Sequence, residues 1–191
     1  MRLKILASCF CFAWVICFES AATAANYDSF QIGKLEGKLI VQWIEPDLFI
    51  FLPDEAKPLS FTRSNGDKIT PGRMLTDGGT IPRALWILRS YSPWGYAPAF
   101  IVHDWLFNMK HCQIPGFEKY TYQDAADVLA EVMKTMMETK KVELDKPTVF
   151  SMHTAVSSFI AQGLWDNGKC TPPPAGLRPK KPIMEYELNF E

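Results

Sequence analysis

Residues Leu59–Thr70 read LSFTRSNGDKIT, two short runs with apolar alternation around Ser64-Asn65-Gly66-Asp67. Asn-Gly between such runs is the strongest local hairpin signal, because a type I′ turn needs positive φ at both central residues. Leu59–Arg63 and Lys68–Thr70 are therefore predicted to pair antiparallel. Upstream, Lys38–Ile44 (KLIVQWI) and Asp47–Leu52 (DLFIFL) are rich in branched and aromatic residues and are separated by Glu45-Pro46. They read as two further strands. After Trp94-Gly95-Tyr96 the period lengthens, and Pro98–Met109, Tyr120–Thr139 and Pro147–Trp165 read as three helices. Thr121 stands three residues before Asp124, an N-cap arrangement. Pro147 falls in the first turn of the third helix and Gly168 just beyond its end. Strands first and helices after predict an α+β fold, a small antiparallel sheet from the N-terminal half packed against about three helices from the C-terminal half.

The first residues carry the anatomy of a secretory signal: basic Arg2 and Lys4, the apolar run Ile5–Phe18, then the small-x-small set Ala22-Thr23-Ala24. That run is shorter than the ~20 residues a spanning helix needs, so no permanent membrane anchor is expected. Leu6-Ala7-Ser8-Cys9 mimics a lipoprotein box but lies too close to Met1 to have an apolar core before it. The expected organisation is a signal peptide over 1–24, one α+β domain over 25–170, and a proline-rich tail over 171–191. Ile183–Phe190 (IMEYELNF) alternates as a returning edge strand would. The destination is the periplasm or the extracellular space. Of the five cysteines, Cys9, Cys11 and Cys17 leave with the signal. Cys112 and Cys170 remain as a disulfide candidate in an oxidising compartment, with two unrelated thiols as the alternative.

About 165 residues then remain, which suits a single domain. Removing Arg2 and Lys4 from 20 basic residues and Glu19 from 21 acidic ones leaves 18 against 20. No basic stripe points to nucleic acid.

Two further runs carry candidate chemistry. Thr76–Trp86 reads TDGGTIPRALW and His103–Phe107 reads HDWLF. The pattern resembles a phage-associated family known mainly as a domain of unknown function (family 1353), whose members carry TD-x-x-S-I-P followed by an HD-x-L helix. The resemblance covers roughly Gly66 to Trp165. It implies a phage-related origin and site roles for Asp77 and Asp127, since the family places an Ala-Asp pair where this chain has Ala126-Asp127. Gly79 and Thr80 stand where the family commonly has a small residue and Ser, so the hydroxyl is kept.

Each candidate also has a bland reading. Asp77, before Gly78-Gly79, is a ligand, base or orienter, or it caps its own loop. Arg83 holds an anionic group through its planar fork, or it forms a salt bridge to Asp77 or Asp104. His103 is a general base or metal ligand, or a core histidine hydrogen-bonded to a carboxylate. Asp104, its neighbour on a helix, must serve a different partner. Asp124, Asp127, Glu131, Lys134 and Glu138 mark one polar stripe at helical spacing, which predicts a solvated face. His153 lies on an apolar stripe and needs a partner, either as a satisfied core histidine or as a further site member. His111, beside Cys112, is expected exposed in a loop.

The chain has no nucleophile elbow, HExxH, phosphate loop or mature CxxC, and no histidine precedes His103 as the HD phosphohydrolase pattern requires. Two functional readings follow. In the leading one, the protein is a non-catalytic binding or assembly module of the cell envelope, meeting an envelope component or protein partner. Its TDGGTIPR and HDWLF residues then form a structural network. In the alternative it is an envelope hydrolase with catalytic Asp77, His103 and Asp127, substrate-binding Thr80, Arg83 and Asp104, and a divalent metal such as zinc or manganese as the possible cofactor.

Overall fold

The computed structural model describes residues 26–44, 48–76, 95–173 and 184–190. The signal-peptide expectation and the Asp77–Trp94 stretch lie outside these residues. The strands are β1 (Lys34–Ile44), β2 (Leu48–Phe51), β3 (Ser60–Thr62), β4 (Lys68–Ile69), β5 (Met74–Thr76) and β6 (Met184–Phe190). The helices are α1 (Ala97–Cys112), α2 (Tyr122–Glu138), α3 (Lys146–Val156) and α4 (Phe159–Asn167). All pairings between strands are antiparallel, in the order β4-β3-β1-β2-β5, with β6 also on β1. The α+β expectation holds: five strands precede the helices, and the C-terminal segment returns to complete the sheet.

Long β1 organises the sheet. Its start pairs with β3 (Leu35 opposite Phe61), its end with β2 (Val41 opposite Phe51), and Gly37–Trp43 with β6. Gly37, at φ +92°, marks the change of partner, and a Cβ there would collide with the Pro58 backbone. Because directly paired residues share a face, Leu39, Val41, Phe51, Met74 and Phe190 point together into the helix-covered core. Ile44, Ile50 and Leu52 form a second, smaller cluster. It lies on the other face, since Ile50 pairs with Gln42 rather than with a core-facing residue.

The hairpin closes differently from a two-residue turn. Gly66 N donates to the Arg63 carbonyl at 2.9 Å and Arg63 N to the Asp67 carbonyl at 2.8 Å. Gly66 has φ +86°, and Asn65 is not among the positive-φ residues. One left-handed residue after an ordinary turn is the longer, bulged hairpin, and glycine serves it without strain.

The predicted third helix is two. Ser158 is extended (φ −71°, ψ 164°) and its side chain caps α4 at Ala161 N, while the Ser157 hydroxyl donates back to the His153 carbonyl at 2.7 Å. Serine hydroxyls compete with the helix for backbone partners, and two in a row end it.

The predicted solvated face of α2 is overturned at its centre, where Glu131 and Lys134 are buried, while Asp124 and Asp127 are half-exposed and Glu138 is exposed. From Ala125 to Met137 every residue except Asp127 is buried. Glu131, 6% exposed, takes a two-bond clamp from Arg63, Nε and Nη2 each at 2.8 Å. Lys134 donates to the carbonyls of Tyr27 and Phe30 at 3.1 and 3.0 Å, with its ammonium 4.7 Å from the Tyr27 ring centre. The segment before β1 and the β3–β4 hairpin thus cover the stripe, and Thr121 and Asp124 close a reciprocal capping box at its start.

Cys112 and Cys170 form a disulfide, with Cα atoms 4.6 Å apart. His111, expected in a loop, occupies the last turn of α1 and bonds the Leu164 carbonyl at 3.0 Å. These contacts fasten the end of α1 to the end of α4. Replacing Cys170 with serine frees a loop of 58 residues and is expected to cost up to ~4 kcal/mol in chemical denaturation. Glu131→Ala strands Arg63 half-buried and is expected to cost ~3–5 kcal/mol, whereas a joint Arg63→Met/Glu131→Leu replacement recovers most of that loss.

Candidate functional site

Thr76 and Asp104 bring the two sequence motifs together. Thr76 closes β5 and is buried. Its hydroxyl donates to Asp104 Oδ2 at 2.7 Å. Successive residues on a helix point about 100° apart, so Asp104 reaches the sheet while His103 turns toward α2. The His103 ring is 5% exposed and its Nδ1 donates to the Ala125 carbonyl at 2.9 Å. That bond places the proton on Nδ1 of a neutral ring. Burial holds the His103 pKa down at about 4, against the weaker opposing pull of the Ala125 carbonyl. Phe107, 4.9 Å from the His103 ring, in turn meets Trp165 edge-on at 5.0 Å. One short segment of α1 therefore contacts the sheet, α2 and α4.

Asp127 is engaged elsewhere. Its Oδ1 lies 2.8 Å from Nε2 of His153 on α3, and Gln123 Nε2 donates to the same oxygen at 3.3 Å. His153 is buried, with its ring 4.8 Å from Phe30. The Asp127 side chain is 37% exposed, so this imidazole–carboxylate pair has one solvent-facing edge. Asp124 spends its carboxylate on the Thr121 cap. Asp77, Thr80 and Arg83 lie outside the described residues.

The arrangement supports limited chemistry. His103 is poised to stay neutral, and its Nδ1 is committed to a backbone carbonyl. Asp127 and His153 supply two adjacent donors. Among the described residues no group of three or more His, Cys, Asp or Glu is arranged to hold a metal ion. Sequence reasoning missed Thr76. The available signal was a β-branched hydroxyl residue at the end of an apolar strand, directly before the Gly-Gly turn. It had left His153 open between a core role and a site role, and the structure gives it Asp127 as its partner.

The buried imidazole predicts an acid response. In the unfolded chain His103 takes a proton below about pH 6.5, whereas in the fold it resists until about pH 4. Its contribution is complete above pH 6.5 and is lost as pH falls toward 4, by ~3 kcal/mol at full extent. In urea denaturation the stability difference between the protein and His103→Gln should shift by that amount across this range, to the disadvantage of the histidine as pH falls. A constant difference would contradict the buried neutral ring.

No curated protein and no solved structure matches the chain. The family model described as "Protein of unknown function (DUF1353)" matches residues 56–156. The matched span runs from the loop before β3 to the end of α3, includes both motifs and covers more than half of the chain, so this protein belongs to the DUF1353 family.

Proposed function

We propose that this protein is an exported, phage-related binding or assembly module of the cell envelope, and that the TDGGTIPR and HDWLF residues serve as its structural joint. The observation that carries this reading is the sealing of His103: 5% exposed, held low in pKa, and bonded to backbone. A general base needs its nitrogen within reach of a substrate proton and a pKa near the working pH, and this ring sits in the core. The disulfide supports export, and no helix among the described residues is long and apolar enough to cross a membrane. The binding half of the reading is supported by α4, where Phe159 (84% exposed), Ile160 and Leu164 present apolar side chains to solvent.

The Asp127–His153 pair favours a second reading, an envelope hydrolase in which the carboxylate orients an imidazole. The two are separated by experiment. In the module, His103→Gln and Asp77→Asn lower stability by ~1–3 kcal/mol through unsatisfied buried partners, and the purified protein carries no stoichiometric metal by elemental analysis. Sedimentation with isolated cell envelopes should fall in the Phe159→Ser/Ile160→Ser variant at unchanged melting temperature. Release of soluble fragments from envelope material, abolished by Asp127→Asn without loss of stability, would establish the hydrolase instead.

A further inference from the structure

The sheet face turned away from the helices carries a cleft of about 380 Å³. Its shape follows from register. Lys38, Ile40 and Gln42 alternate along β1, and β6 sets Glu185 opposite Gln42 and Glu187 opposite Ile40, so all five line the cleft. The facing wall is the chain that leaves β2. Leu52 N bonds the Ile40 carbonyl at 2.9 Å and Lys38 N bonds the Lys57 carbonyl at 2.8 Å, which ties both ends of that loop to β1. Between those ties, Pro53 continues an apolar strip begun by Ile40 and Leu52, and Asp54 and Glu55 add carboxylates.

The charge in this cleft is unbalanced. Among the described residues that line it, Asp54, Glu55, Glu185 and Glu187 face one ammonium, that of Lys38, which is divided between Asp54 at 3.5 Å and Glu187 at 3.2 Å. The hydrogen bond that Lys38 donates to Glu187 raises the Lys38 pKa, and the one that the Lys57 backbone N–H donates to Asp54 lowers that of Asp54, so both stay ionised near neutrality. An independent observation comes from Gln42, which is only 7% exposed. Its Nε2 donates to Glu185 Oε2 at 2.5 Å, which fixes which end of the amide is oxygen. That oxygen, Oε1, is buried and has no hydrogen-bond partner among the described residues. A buried acceptor without a donor is a standing cost that a donor-bearing ligand removes.

We propose that this cleft binds a primary amine on an aliphatic stem, the chemistry shared by a free diamine and a lysine side chain. The stem lies along Ile40, Leu52 and Pro53. The ammonium brings three donors to Glu185, Glu55 and, on a small rotation of its amide, Gln42 Oε1. Lys38 keeps Asp54 and Glu187 apart from the ligand and holds the far wall. A divalent ion fits less well, because it needs three or more converging ligands and the described carboxylates do not converge in that way. The proposal does not depend on the function proposed above, since the His103–Asp104 joint lies on the opposite side of the sheet.

Calorimetric titration of the purified protein with cadaverine and with Nα-acetyl-lysine amide tests it. Pentanol and glutarate serve as neutral and anionic controls, and the Gln42 side-chain amide is followed by NMR. The expected result is saturable binding of the amines but not of the controls, with displaced Gln42 amide resonances. Glu185→Gln should weaken binding by about tenfold. Glu55→Gln, on the exposed loop, provides the same reading should the first variant fold poorly. Tighter binding of the lysine amide assigns the site to a peptide-borne lysine, and tighter binding of cadaverine assigns it to a free amine. Absence of saturable binding to the folded protein, or binding unchanged by the carboxylate replacements, overturns the proposal.

Discussion

The fold depends on burying α2 on nearly every side although two of its inward positions are charged. A charge in the interior is tolerated only with a partner of opposite sign or a set of well-placed dipoles. Glu131 receives both, in the flat guanidinium of Arg63. Lys134 has no carboxylate partner among the described residues and is held by two backbone carbonyls and the face of Tyr27. Each partner is supplied by a segment distant in sequence. Satisfying the helix therefore forces the hairpin down on one flank and the chain before β1 down on the other. Tyr27, whose hydroxyl donates to Glu138 at 2.9 Å, and Gly33, whose N–H donates to Thr135 Oγ1, extend the same seam. The helix sets the positions of the elements that neutralise it.

A second joint crosses the first at the other end of the core. The Thr76–Asp104 hydrogen bond ties β5 to α1, and the His103–Ala125 bond ties α1 to the first turn of α2. Neither bond is large by itself, since a hydrogen bond contributes about 1 kcal/mol net. The first is half-buried, and the second lies among fully buried apolar residues, including Phe100, Val102 and Leu106. There the loss of the Ala125 carbonyl contact would leave the His103 Nδ1–H stranded. The HD pair of α1 thus sends its two side chains to two different elements, Asp104 to β5 and His103 to α2.

The sheet itself is two-sided. One face meets the helices, while the other carries the small Ile44–Ile50–Leu52 cluster and the charged cleft beside it. β6 completes this second face, setting Glu185 against Gln42 and Glu187 against Lys38 of β1.

Local signals in the chain were sufficient for the elements whose residues carry their own instructions. Asn65-Gly66 located the hairpin, Thr121 and Asp124 the start of α2, and alternation in Lys38–Ile44 and Ile183–Phe190 two strands that turned out to pair with each other. The two motifs named the family and marked Asp104 and His103 as residues with separate partners. The fate of the polar stripe was decided only by tertiary structure. Helical spacing shows that Glu131 and Lys134 share a face, but it is silent about what folds over that face, and here Arg63 and Tyr27 arrive from beyond the helix. The same limit applies to Asp127. Its pairing with His153 depends on how α3 crosses α2, an angle set by the summed packing of many apolar side chains and by no single residue in either helix.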